Sequence, residues 1–201
     1  MAKRIKKESV IRDINIIDIL LIDHRYVKDC IEILTSESST KKQKLGIAKD
    51  FLIALQKHSE AEKKIVYSPL KGDEEFHFNI LEAEIEHGIV DEKIKLLKPK
   101  LARAKVLKDE IEAELKVLAE LVKHHIKEEE SELLPKMNDY LEEETLKSMG
   151  QEFMKRREMT ASDLDNYPHL QDELVSWKDD VQKISSQFLS KMDKYVENLK
   201  H

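Results

Sequence analysis

Cysteine is almost missing from this chain: Cys30 stands alone in 201 residues. No internal disulfide framework can form, and a lone thiol fits a reduced core or surface position in the cytoplasm, the expected location. Glycine and proline, at four each, fall well under their ordinary usage of about 7% and 5%. No run approaches the roughly 20 apolar residues that span a bilayer, so no membrane partner is expected. The first residues are basic, but Asp13, Asn15 and Asp18 interrupt the apolar patch behind them, which argues against a secretory signal. Positive charge is also in deficit. The net charge is −6, and lysines alternate with glutamates instead of gathering on one stripe, so nucleic acid is not the expected partner. Low-complexity tracts and alternating strand patterns are absent too.

What remains is charge and helical period. Asp, Glu, Lys and Arg make up 38% of the residues, with apolar positions every three or four places, the composition of long helices with solvated outer faces. The first helix is expected over residues 11–34, striped by Ile17, Leu20, Leu21, Val27, Ile31 and Leu34. Residues 36–40 form a turn. The second helix spans 42–66 and stops near Ser68-Pro69, since proline disfavours helix at the residue before it. After the Lys71-Gly72-Asp73 loop, the third covers 74–98 and is broken by Pro99. The fourth runs from 101 to 134 and ends at Pro135, and a shorter fifth covers 142–159. A polar break precedes a last helix over 172–199. The expected fold is all-α: an antiparallel up-down four-helix bundle in residues 1–160, with additional C-terminal helices. Residues 161–201 form an extension that either covers a bundle face or makes a homodimer contact, with Trp177 as its packing anchor.

Each of the first four helices carries a histidine within its apolar stripe: His24, His58, His87 and His125. Residues four apart on a helix differ by only about 40° and share a face. His58/Glu62 and His125/Glu129 therefore each present an imidazole and a carboxylate side by side, facing inward. A buried carboxylate without a positive partner is costly; a metal pair supplies that charge, and carboxylates can bridge two ions. One such histidine is most simply a satisfied core residue, and Glu four places after His is common in a glutamate-rich chain. Four inward histidines on four consecutive helices, two with an inward glutamate one turn on, point instead to a metal site. His77, His169 and His201 lie outside this pattern and read as solvated surface residues.

The segment from Ile17 through Asp23-His24-Arg25 to Val27 resembles the opening helix of the hemerythrin-like, HHE cation-binding family. His58-Ser-Glu-Ala-Glu62 with Val66-Tyr67 resembles its second-helix motif, Glu86-His87 its third, and His125-Ile126-Lys-Glu-Glu129-Glu130 with Leu133-Leu134-Pro135 its fourth. The resemblance covers about residues 11–160. It implies two non-haem iron ions per chain, bridged by carboxylates and an oxo or hydroxo group. His24, His58, His87 and His125 would be terminal ligands, and Glu62 and Glu129 the bridges. It also implies a protein that binds O2 or another small diatomic ligand, or senses oxygen, redox state or iron, without turnover.

The chain departs from the family pattern in three places. Where hemerythrin proper has a second histidine on the third helix, one turn on, this chain has Asp91; Asp91, Glu84 or water would fill that position. Helix four offers adjacent histidines, and His125 is favoured over His124 because Leu118, Val122 and Glu129 share its face. Leu55-Gln-Lys-His58 with Pro69 echoes Leu121-Val-Lys-His124 with Pro135, which points the other way. Glu130 is the alternative second bridge. Two other readings compete. A ferritin-like di-iron oxidase or peroxidase wants a Glu-x-x-His pair on each of two helices, and this chain has one such pair at an inward position, Glu84 to His87. A metal-free interaction protein would use the same residues as a buried polar network.

Overall fold

In the computed structural model, residues 14–159 are described; they form helices joined by short connections, and no strand occurs among them. Helix α1 spans Ile16–Thr35. Its start is fixed by a reciprocal cap: Asn15 Oδ1 accepts from the Asp18 N–H at 3.1 Å, and the Asp18 carboxylate accepts from the Asn15 N–H at 3.4 Å. The expected start at residue 11 is corrected accordingly. Helix α2, Lys41–Glu62, opens on Thr40, capped in the same way with Gln43. Helix α3 is His77–Arg103, α4 is Asp109–Glu128 and α5 is Glu143–Arg157.

The expected end at Pro135 is overturned, while the expected stop near Ser68-Pro69 falls one residue short of the helix's end at Leu70. Helices α2 and α4 each pass into a π-helical turn, Lys63–Tyr67 after α2 and Glu129–Leu133 after α4. The chain then resumes as Ser68–Leu70 and Leu134–Tyr140. Ser68 N–H reaches back to Lys63 O, and Leu134 N–H to Glu129 O. Pro69 and Pro135 follow immediately. A proline costs a helix its N–H bond and clashes with the carbonyl four residues back; a turn that has shifted to five-residue bonds already departs from that ladder.

The third expected break, at Pro99, also fails: α3 runs through it and ends at Arg103. Leu97 and Leu101 lie at 0% and 1% exposure on either side. Burying each contributes about 1.5–3 kcal/mol, enough to offset a proline penalty of about 3 kcal/mol. The break falls instead at residues 104–108, so α4 starts at Asp109 rather than near 101, with Asp109, Glu110 and Glu112 in its first turn beside the positive end of the helix dipole.

With these short loops, α1 to α4 form an up-down-up-down bundle in which each helix packs against its neighbours in the ring, α4 closing on α1. Along α1, the inward residues change from Ile16, Ile17, Ile19 and Leu20 to Asp23 and His24, then back to Val27, Ile31 and Leu34. The polar layer thus lies between two apolar ones. Cys30 is buried in the second, its thiol pushed up to about 11 by burial.

Helix α5 packs on α1 and α2. Gly150 permits this approach: a Cβ there would meet the backbone of Asn15 and Ile16 at 2.9 Å. The helix ends at Glu158, in the left-handed region at φ 57°. The expected extension over 161–201, with its helix, Trp177 and dimer contact, lies outside the described residues. So do residues 11–13, His169 and His201.

Candidate metal centre

Each face of the polar layer delivers one histidine inward. His24 is fully buried, and His58, His87 and His125 are 3–4% exposed; Glu62 and Glu129 are 0% and 3% exposed. Their donor atoms converge. His58 Nε2 lies 2.9 Å from Glu62 Oε2, and His87 Nε2 lies 3.4 Å from the same oxygen. His24 Nε2 and His125 Nε2 each lie 3.4 Å from Glu129 Oε2. His87 and His125 approach Nε2 to Nε2 at 2.8 Å. These side chains form two sets of four donors, His58/Glu62/His87/His125 and His24/His58/Glu62/Glu129, with ligand atoms within 4.8 Å of one another in each. His58 and Glu62 belong to both.

The outward nitrogen of every ring is also held. His24 Nδ1 donates to Glu130 Oε1 at 3.2 Å, and Lys28 grips the same carboxylate at 2.7 Å. His58 Nδ1 donates to Asp23 Oδ2 at 3.0 Å, and Arg157 of α5 grips Asp23 with two bonds of 2.9 Å. His87 Nδ1 meets Ser59 Oγ at 3.1 Å, and His125 Nδ1 donates to Glu86 Oε2 at 2.7 Å. Such outer partners fix the tautomer and aim Nε2 at the centre. Phe153 of α5 packs its ring edge-on to His58 at 6.3 Å.

The centre is short of positive charge. Burial disfavours the charged form of His24, yet the neighbouring carboxylates of Glu129 and Glu130 outweigh it and raise the ring to about 9. His58 is likewise raised against burial, by Glu62 and Asp23, and His125 by Glu129 and Glu86. His87 is held well below its ordinary value by burial and the neighbouring His125. Asp23 falls to about 2 despite burial, through His58 and Arg157, and Glu129 is lowered through His125 and His24. Among the described residues, Arg157 neutralises Asp23 and Lys28 neutralises Glu130 at the edge of the layer, but no lysine or arginine pairs with Glu62 or Glu129.

Among the described residues, His24 Nε2, His58 Nε2, both oxygens of Glu62 and Glu129 Oε2 are buried and have no hydrogen-bond partner. Buried polar atoms in native proteins are nearly always paired, and all five of these point into one space. Imidazole and carboxylate donors suit first-row transition metals, so the residues present fit bound metal.

The remaining expected residues fall outside. Asp91 is a third exposed and pairs with Lys63 at 2.6 Å, and Glu84 pairs with Lys71. Neither joins the donor sets. His124 is 61% exposed and meets Glu128 at 3.1 Å. Glu130 faces outward, beneath Lys28. His77 is exposed on the surface.

One residue that sequence reasoning missed sits in the centre. Tyr67 is fully buried; its OH donates to Glu129 Oε1 at 2.6 Å and lies 3.3 Å from His87 Nε2. Burial and the two glutamates push its phenol well above its ordinary value. Five residues past Glu62, an α-helix would point it about 140° away; the five-residue repeat of the π turn brings it back. Asp23, Glu86, Ser59 and Arg157 were missed as ring partners as well. For Asp23, its place beside His24 was the available hint.

A helical bundle with buried histidines and carboxylates in this arrangement is a metal-binding protein of the hemerythrin type. The family model for the hemerythrin HHE cation-binding domain matches residues 15–137, and the chain belongs to that family. No curated protein and no solved structure matches the chain. The matched region ends before α5, so Phe153 and Arg157, which support His58, come from beyond it. No described helix is long and apolar enough to cross a membrane.

Proposed function

We propose that the centre holds two non-haem iron ions and that the protein binds O2 or another small diatomic ligand there, as a carrier or as a sensor of oxygen, redox state or iron. The observation that carries this reading is the pair of donor sets sharing His58 and Glu62, with five buried polar atoms lacking hydrogen bonds between them. His24, His58, His87 and His125 would supply ring nitrogens, and Glu62 and Glu129 the carboxylates that join the two ions. Tyr67 would stay protonated and steady Glu129 through its hydroxyl, which donates to Oε1 at 2.6 Å. Iron held by these residues would supply the redox chemistry for reversible capture of a diatomic ligand.

The surroundings support a binder over an enzyme acting on an organic substrate. Beside the centre is an apolar cavity of about 20 Å³, walled by Val27, Leu55, Val90, Val122 and Ile126 and reached by His58, His87 and His125. About one water-sized probe occupies 10–15 Å³, so the cavity admits a diatomic molecule and little more. Its apolar wall favours an uncharged guest. The chain's own residues exclude bulk water, orient the imidazoles and hold a proton on Tyr67, facing Glu129.

The test is an ultraviolet–visible spectrum of iron-loaded protein under argon and then under O2, with a peroxide-consumption assay alongside. New charge-transfer bands that reverse on deoxygenation are expected. Identical spectra would reject the diatomic ligand, and sustained peroxide turnover would move the protein to the enzymes. We place the protein in the cytoplasm as part of the same proposal, in keeping with its single thiol.

A further inference from the structure

A second set of donors converges outside the centre. Glu86 of α3 and His124 and Glu128 of α4 have ligand atoms within 4.8 Å of one another. They stand by a narrow cleft between those helices, with room of about 20 Å³. Glu82 and Glu86 line it from α3, and His125, Glu128, Glu129 and Glu132 from α4 and its π turn. Exposure falls from 61% at His124 and 36% at Glu128, through 22% at Glu86, to 3% at Glu129. The buried end therefore consists of two residues of the centre, and one of them, Glu129, carries an oxygen without a hydrogen bond.

The charge in this cleft is unusual for the chain. Elsewhere carboxylates facing a helix boundary are neutralised by lysine: Glu130 by Lys28, Asp91 by Lys63, Glu84 by Lys71, Glu112 by Lys44. Among the described residues, no lysine or arginine pairs with Glu82, Glu86 or Glu128. Lys136, farther along, turns to Asn79 and Glu75.

We propose that Glu86, His124 and Glu128 form an outer divalent-cation site at the mouth of this cleft, which holds a metal ion on its way to the centre. The inference rests on the reading that the centre binds metal. A cleft of one sign of charge with low-dielectric walls raises the local cation concentration and the rate of capture. A mixed imidazole–carboxylate set selects transition metals over calcium or magnesium. Three half-exposed ligands leave the ion its remaining waters, so it is held weakly enough to pass on. Glu86 belongs to both places: the same carboxylate that reaches the outer donors holds His125 Nδ1 at 2.7 Å.

The experiment mixes metal-stripped full-length protein with Co2+ in a stopped-flow instrument, reads the ligand-field absorbance, and counts bound cobalt at equilibrium. His124→Ala and Glu128→Gln are the test variants, because those side chains touch neither ring nor carboxylate of the centre. Each should load about tenfold more slowly than wild type, reach the same final stoichiometry, and lose much of the wild-type rate's dependence on salt. Glu92→Gln, at an exposed pair with Lys95, should load at the wild-type rate. Equal rates in wild type and both test variants would overturn the outer site while leaving the centre intact. Slow loading to a lower stoichiometry would overturn the staging role by making these residues ligands of the centre. A wild type that takes up no cobalt would overturn the reading of the centre itself.

Discussion

Stripping the metal should loosen the protein without unfolding it, and the structure sets the scale. Five buried polar atoms converge without hydrogen bonds. Each such atom costs about 1–3 kcal/mol, so together they rival the whole stability of a typical domain, about 5–15 kcal/mol. The metal-free chain relieves part of this by protonating His24, His58 and His125, and the apolar layers on either side are untouched. A helical apo state is therefore expected. Metal at a thousand times its dissociation constant stabilises the folded form by about 4 kcal/mol. At 2–4 °C per kcal/mol for a chain of this size, the loaded protein should melt about 8–16 °C above the stripped one. The assay is thermal denaturation followed by circular dichroism, with and without metal. Glu62→Gln and Glu129→Gln should narrow the gap, because each weakens the carboxylate join and removes charge that metal must neutralise. A stripped protein that melts with the loaded one would refute the reasoning: the six side chains would be a self-sufficient polar network.

Three further outcomes follow from the geometry. His58→Ala and His125→Ala should each lose metal on elemental analysis, whereas His124→Ala should keep its full equilibrium content; the reverse order for 124 and 125 would move the ligand by one residue. Asp23→Asn removes the charge that orients His58 Nδ1 and holds Arg157, and should weaken metal affinity about 10–100-fold in a competition titration; unchanged affinity would reduce Asp23 to a structural contact. In the stripped protein, His24 is raised from 6.5 to about 9. A folded-state value above the unfolded one stabilises fully below pH 6.5 and is lost as pH rises through about 9. The melting temperature of the stripped form should therefore fall across that interval while the loaded form, with neutral imidazole ligands, stays flat; a rise would contradict the arrangement around His24.

The sequence shows the bundle through the period of its apolar stripes, and shows the centre because His24, His58, His87 and His125 interrupt those stripes at one depth. Glu62 and Glu129 follow from the four-residue repeat, which holds up to the start of each π turn. Past that point the repeat fails. Tyr67 belongs to the second-helix motif but was not expected in the site, because an ideal helix turns it away, and the chain passes Pro69 and Pro135 through the same π turns. Pro99 misled differently: the burial of Leu97 and Leu101 is a tertiary effect that local propensity does not contain. Asp91 sits one turn from His87, where a ligand was expected, yet it pairs at 2.6 Å with Lys63, which opens the π turn of the neighbouring helix. Ring partners such as Glu86 and Arg157 depend on which helices meet, and no spacing within one helix announces them.

The most direct test of the paired centre is a count of metal per chain. Protein purified without added metal, and a sample stripped and reloaded with Fe2+ under argon, should each be measured by elemental analysis against amino-acid quantification. Two ions per chain, mainly iron, is the expected result, falling to fewer in Glu62→Gln. One ion per chain, or zinc whatever the growth medium, would contradict a centre built on two donor sets sharing His58 and Glu62.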